Sequence, residues 1–122
     1  MYMYICVASQ EKKRTIILYL NLETEYFDEI LEGDKTSEYR DRTMYYHSRI
    51  GTKTHLIKYI WFMNGMQTNS RQMLVEFQGL DSQDPRSRRE YVLKLGRIVS
   101  VDPQKISRIR KMYRIVNNIF NI

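Results

Sequence analysis

Residues 33–40 read Gly33-Asp34-Lys35-Thr36-Ser37-Glu38-Tyr39-Arg40, a glycine stop followed by a base, an acid and an arginine at a strand entrance. Ordinary core segments do not carry such a charge pattern. Immediately upstream, Tyr26, Phe27, Ile30 and Leu31 recur at helical spacing in residues 24–32. Glu23, Glu25, Asp28 and Glu29 lie near the helix start, where acids complement the dipole. Gly33 fits the helix C-cap, because glycine reaches positive φ without a Cβ penalty. Residues 35–40 then read as a strand, whose alternation puts Glu38 and Arg40 on one face. A helix that stops on glycine and hands charged groups to a sheet makes a small polar site.

The chain has 122 residues, which suits one compact domain and is too short for two ordinary ones. Hydrophobic residues at 43% and charged residues at 28% sit near globular averages, which disfavours wholesale disorder. A formal charge of +6 favours an anionic partner, most simply nucleic acid. Cys6 is the only cysteine, which excludes an intramolecular disulfide framework. With His47 and His55 the only histidines, little material is left for a zinc site, and no metal or cofactor is expected. No apolar stretch approaches a membrane span, and residues 1–10 lack a secretory pattern. The expected location is cytoplasmic, with no membrane association.

Further strands are expected at residues 15–22, 58–64, 72–78 and 91–101, from their β-branched, aromatic or alternating composition. The nearly all-apolar run at 58–64 predicts a strand buried on both faces, and Asn64-Gly65 predicts a turn after it. Thr43 can cap a short helix through Ile50, ended by Gly51. Residues 81–89 read as a solvated loop, with Arg86, Arg88 and Arg89 facing Asp81 and Asp84. Residues 1–13 form an N-terminal extension or an edge strand, in which Tyr2, Tyr4, Cys6 and Ala8 alternate. Asp102-Pro103 opens a helix over residues 102–122, with Ile106, Ile109, Tyr113, Val116 and Phe120 on one stripe. Lys105, Arg108, Lys111 and Arg114 lie largely off that stripe. This helix would pack over the domain, pair with a second subunit, or lay its basic side on phosphate; monomer and dimer both stay open. The predicted class is α+β: a small barrel with an early crossover helix and an appended C-terminal amphipathic helix.

Gly33, Lys35, Glu38 and Arg40 fill every fixed position of Gly-x-Lys-x-x-Glu-x-Arg, placed directly after the first helix. In this the chain resembles the ASCH family, the activating-signal-cointegrator homology domains. Residues 16–22 resemble the family's first strand, 58–65 (KYIWFMNG) its aromatic strand, 73–80 (MLVEFQGL) a later strand and 91–99 (YVLKLGRIV) the closing strand. The resemblance covers residues 14–101 and implies a PUA-like barrel whose hallmark residues line a cleft that binds RNA or a nucleotide.

Chemically, Lys35 can hold a phosphate or, once desolvated, act as base or nucleophile. Glu38 can accept from an exocyclic amine, and Arg40 can present a planar donor fork to phosphate or carboxylate. The competing reading is a structural ion pair in which Arg40 neutralises Glu38. Around the cleft are expected Asn64, reading base edges, and Tyr59, Trp61 or Phe62 for stacking, although Trp61 also reads as core. Tyr45, Tyr46, His47 and Arg49 would form a rim.

Part of the resembling superfamily comprises amidohydrolases of an acylated cytidine, with a lysine, a threonine three residues later and a distant glutamate. Here Glu38 stands where that threonine would be, and Glu76 is the only offered second carboxylate, so the mechanism does not carry over intact. Other members resemble ribonucleases, in which Lys35 with Tyr39 or a rim tyrosine would stabilise phosphorane charge. The catalytic candidates are therefore Lys35, Glu38 and Tyr39. Those for RNA or nucleotide binding are Lys35, Glu38, Arg40, Asn64, Tyr45, Tyr46 and Arg49.

Overall fold

The computed structural model of the chain describes residues 15–116. Strand β1 (Ile16–Asn21) leads into helix α1 (Thr24–Leu31), then strand β2 (Ser37–Asp41) and the short helix α2 (Met44–Tyr46), which widens into a π turn over His47–Gly51. Strands β3 (Ile57–Asn64), β4 (Arg71–Leu80) and β5 (Glu90–Ser100) follow, then helix α3 (Pro103–Arg110) and strand β6 (Arg114–Val116). The strands form one sheet in the order β2-β5-β4-β3-β1-β6. It curls into a half-barrel, giving an α+β fold.

The curl has a local cause. Along the β4–β5 pair the register shifts three times, between Leu74 and Val75, Val75 and Phe77, and Phe77 and Leu80. Each unpaired residue bends its strand and adds twist. Gly79 sits at one of these bulges with φ +94°, a conformation that costs a side-chain-bearing residue dearly.

β3 runs through the middle of the sheet, pairing parallel with β1 and antiparallel with β4. Its two faces are both covered, as its composition predicts. Ile57, Ile60 and Phe62 enter the main core with Leu18, Leu20, Phe27, Val75 and Leu93, while Tyr59 and Trp61 join a second cluster built on Ile17, Leu74 and Ile106. Helix α3 lies over this second face through the fully buried Ile106.

The C-terminal segment departs from the expected single helix. α3 stops at Arg110, and Arg114–Val116 pairs parallel with β1 instead. The free edge of β1 offers unpaired backbone groups, and satisfying them outweighs extending a short helix. Tyr113 still packs on the second cluster, but Val116 turns into the main core. Phe120, and the alternation of Tyr2, Tyr4, Cys6 and Ala8, lie outside the described residues. Among the described residues, no helix is long and apolar enough to cross a membrane.

The expected face of α1 splits as well. Phe27 and Ile30 are buried, whereas Tyr26 and Leu31 are exposed. The helix ends in a Schellman motif: Gly33 N–H donates to the Ile30 carbonyl at 3.1 Å and Asp34 N–H to that of Glu29 at 2.9 Å. Lys35 N–H also donates to the Glu29 carbonyl at 3.1 Å, so β2 begins at Ser37 rather than at residue 35. Gly33 has φ +85°, and a Cβ there would meet no atom within 4 Å. Gly33→Ala therefore isolates the backbone cost, and urea denaturation should show a loss of about 1–2 kcal/mol.

Candidate functional site

β2 is the edge strand beside β5, with Glu38 opposite Leu93 and Arg40 opposite Tyr91. Cross-strand neighbours share a face, so Glu38 and Arg40 both point to the side of the main core. Glu38 is only 4% exposed and is the one buried charged residue among those described. Its two oxygens have different partners. Lys35 Nζ lies 3.0 Å from Oε1. Arg40 aims two donors at Oε2, Nε at 2.9 Å and Nη2 at 2.7 Å.

Arg40 is fixed from behind as well. Its Nη2 donates to the Asn21 carbonyl at 2.8 Å and its Nη1 to the Tyr46 hydroxyl at 3.0 Å. Tyr46 is itself set by Thr43, which caps α2 by accepting from Tyr46 N–H at 3.2 Å. Burial works against the guanidinium charge. The Glu38 carboxylate and the Tyr46 hydrogen bond outweigh that, and Arg40 holds its proton more tightly than a free arginine.

These groups form the floor of an open cleft of about 710 Å³, between the start and end of α1, β2 and the loop before β5. One carboxylate shared by two cations leaves the floor with an unbalanced positive charge. The wider lining reverses the balance, because Glu23, Glu29 and Asp34 join Glu38 against Lys35, Arg40 and Arg86. The cleft is thus positive at its base and acidic at its mouth.

The sequence-predicted residues distribute unequally. Lys35, Glu38, Tyr39 and Arg40 line the cleft together. The expected ion pair of Glu38 and Arg40 is also present, so both readings of the pair describe the same atoms. Tyr46 supports Arg40 from outside the lining. Tyr45 stands one layer further out, edge-on to Tyr46 at 4.9 Å, with the Arg49 guanidinium 3.6 Å above its ring. His47 Nδ1 lies 3.1 Å from the Tyr91 hydroxyl, away from the lining.

Asn64 is not at the cleft. Its amide nitrogen donates to the Leu22 carbonyl at 3.0 Å and its oxygen accepts from Arg71 Nη2 at 3.1 Å, so it ties the end of β1 to the β3–β4 hairpin. Phe62 is fully buried, and Tyr59 and Trp61 belong to the opposite face of the sheet. Glu76 pairs with Arg97 at 3.3 Å, remote from the lining.

Among the cleft residues that sequence reasoning missed, Tyr26 and Arg86 bring an aromatic ring and a cation. Tyr26 is 42% exposed, and its ring lies 4.4 Å beneath Lys35 Nζ. Arg86 stacks 3.5 Å over Tyr39 and clasps Glu90 through Nε at 2.6 Å and Nη2 at 2.9 Å. Its placement follows from Asp84-Pro85, where Asp84 caps a 3₁₀ turn over Pro85–Arg88 by accepting from Arg86 N–H at 2.8 Å. The same Asp-Pro signal marks the start of α3, and it was available at residues 84–85 too.

Tyr39 donates its hydroxyl to Asp84 at 3.2 Å. Burial first, then that hydrogen bond and the Asp84 charge, raise the phenol above its ordinary value, with Arg86 partly offsetting them. Among the described residues, no group of His, Cys, Asp and Glu could hold a metal ion. Comparison with family models, curated proteins and solved structures finds no match to this chain.

Arg40→Ala strips Glu38 of its stronger partner and frees the Asn21 carbonyl and the Tyr46 hydroxyl, so chemical denaturation should show a loss of about 3–5 kcal/mol. Lys35→Ala should cost less than about 1.5 kcal/mol, because water entering the cleft can replace one donor at Oε1. For Tyr39, a raised folded-state pKa means stability that is complete below the ordinary tyrosine value and is lost as pH climbs through the folded one. NMR titration of the ring carbons should find Tyr39 ionising later than a free tyrosine. Asp84→Asn should bring it down only part of the way, since burial is the larger cause.

Proposed function

We propose that the chain is an ASCH-like binding domain whose cleft takes a nucleotide, free or as one unit of an RNA strand. The observation that carries this reading is the shared carboxylate. Lys35 and Arg40 converge on Glu38 at the base of a cleft, and their surplus positive charge faces open space. Buried ion pairs are weak contributors to stability compared with apolar packing, so a cluster of this kind at a cleft floor is better explained by a ligand than by the fold.

A phosphate reaching the floor would accept from Lys35, while Arg40, whose charge is assured by its partners, adds attraction from behind. The exposed Tyr26 ring offers a platform for a base, and Asp34 and Glu29 at the mouth offer acceptors to its amino groups. The acidic mouth disfavours a second phosphate close by, so the geometry favours a single nucleotide unit over a polyphosphate. The hydrolase alternative draws no support from Glu38, whose oxygens are both occupied.

Calorimetric titration with nucleoside monophosphates and with their parent nucleosides tests the proposal. The monophosphate should bind at least about tenfold more tightly than the nucleoside, and Lys35→Ala should remove that difference, about 1.4 kcal/mol, while the circular dichroism spectrum stays unchanged. Equal affinity for both ligands, or an unaltered affinity in Lys35→Ala, would refute it.

A further inference from the structure

The chain carries a net charge of +6, yet acids outnumber bases in the cleft lining. The excess positive charge therefore lies elsewhere. Residues 102–116 hold Lys105, Arg108, Arg110, Lys111 and Arg114 against the single acid Asp102. Of these, Lys105, Arg108, Lys111 and Arg114 are exposed, and the ion pairs among the described residues engage none of them.

Arg110 is different. Its guanidinium lies 3.7 Å over the Trp61 ring, and its Nε is buried without a hydrogen-bond partner among the described residues. Burial pushes its pKa below that of a free arginine, and no salt bridge among the described residues engages it. The desolvation of this cation is a cost that a phosphate oxygen would relieve. Trp61 in turn meets the Tyr19 ring at 4.8 Å with the planes tilted by 52°, so guanidinium, indole and phenol follow one another beside α3.

We propose that this second face, α3 with the Arg110–Trp61–Tyr19 series, docks single-stranded nucleic acid independently of the cleft. Charge complementarity supplies the attraction, and stacking on planar groups flanked by bases is how sequence-tolerant single-strand sites work. An anionic lipid surface fits less well. An amphipathic helix enters a membrane by its apolar stripe, and here that stripe is spent on the sheet through Ile106 and Ile109. The two faces are separate, because Glu38 points to the main core side and Trp61 to the other.

Trp61 is the only tryptophan, so intrinsic fluorescence reads this face directly. Titration of the full chain with an oligouridylate of about 15 nucleotides should produce a saturable change in Trp61 emission. The affinity should fall roughly tenfold or more between about 50 and about 200 mM salt. The double variant Arg108→Glu, Lys111→Glu alters two exposed side chains that no ion pair among the described residues engages and should bind at least about tenfold more weakly with an unchanged circular dichroism spectrum. A nucleoside monophosphate added alone should leave Trp61 emission unchanged, because Trp61 lies on the other side of the sheet from the cleft, which keeps the two proposals separable. The inference is overturned if the double variant binds as well as wild type, if the monophosphate alone reproduces the emission change, or if heparin or phosphatidylserine vesicles match the oligonucleotide in affinity and emission change.

Discussion

The Glu38 carboxylate, divided between the ammonium of Lys35 and the guanidinium of Arg40, is the interaction around which the front of the molecule is arranged. A charge this deeply buried persists only when every oxygen is matched, and the surrounding elements are placed as that requirement dictates. The glycine-terminated end of α1 turns the chain so that Lys35 reaches Oε1. The alternation of β2 brings Arg40 to Oε2. The cap on α2 delivers the Tyr46 hydroxyl that fixes the far side of the guanidinium. Losing the Arg40 or Tyr46 contacts would leave a buried polar group without its partner, whereas at Oε1 water entering the cleft can stand in for Lys35.

The same arrangement separates two kinds of positive charge. At the cleft floor it is rigid, desolvated and shared with a carboxylate, which suits recognition of one anionic group at a fixed distance from an aromatic ring. Along residues 105–114 four of the five cations are exposed and outside the ion pairs among the described residues, which suits a long polyanion met in many registers. Acids outnumber bases in the cleft lining, so the basic composition of the chain says little by itself about the cleft.

Local signals carried much of this into the sequence. Gly33 announced its turn because only glycine takes that φ cheaply, and the pairing of Glu38 with Arg40 followed from a two-residue repeat that holds in any strand. The double-sided burial of β3 was legible because a central strand cannot afford polar side chains on either face. What stayed hidden depends on contacts between segments distant in the chain. Tyr26 looks like an ordinary member of an apolar stripe until Lys35 is folded over it, and Arg86 looks solvated until Tyr39 lies beneath it. β6 was invisible because Ile109, Tyr113 and Val116 satisfy a helical repeat as well as a turn followed by a strand. Only the open edge of β1 decides between those two. Asn64 misled in the opposite sense: its amide is capable of reading a base, but backbone and arginine partners already consume it.

Whether a ligand meets the surplus charge beside Glu38 separates a binding cleft from a purely structural ion cluster. A crystal structure of the chain grown with a nucleoside monophosphate tests this most directly. The predicted result is a phosphate oxygen about 3 Å from Lys35 Nζ, with the base against Tyr26 and Glu38 still held by Arg40. A structure at saturating nucleotide in which the cleft holds none, with Lys35 and Arg40 closed on Glu38 alone, would contradict it.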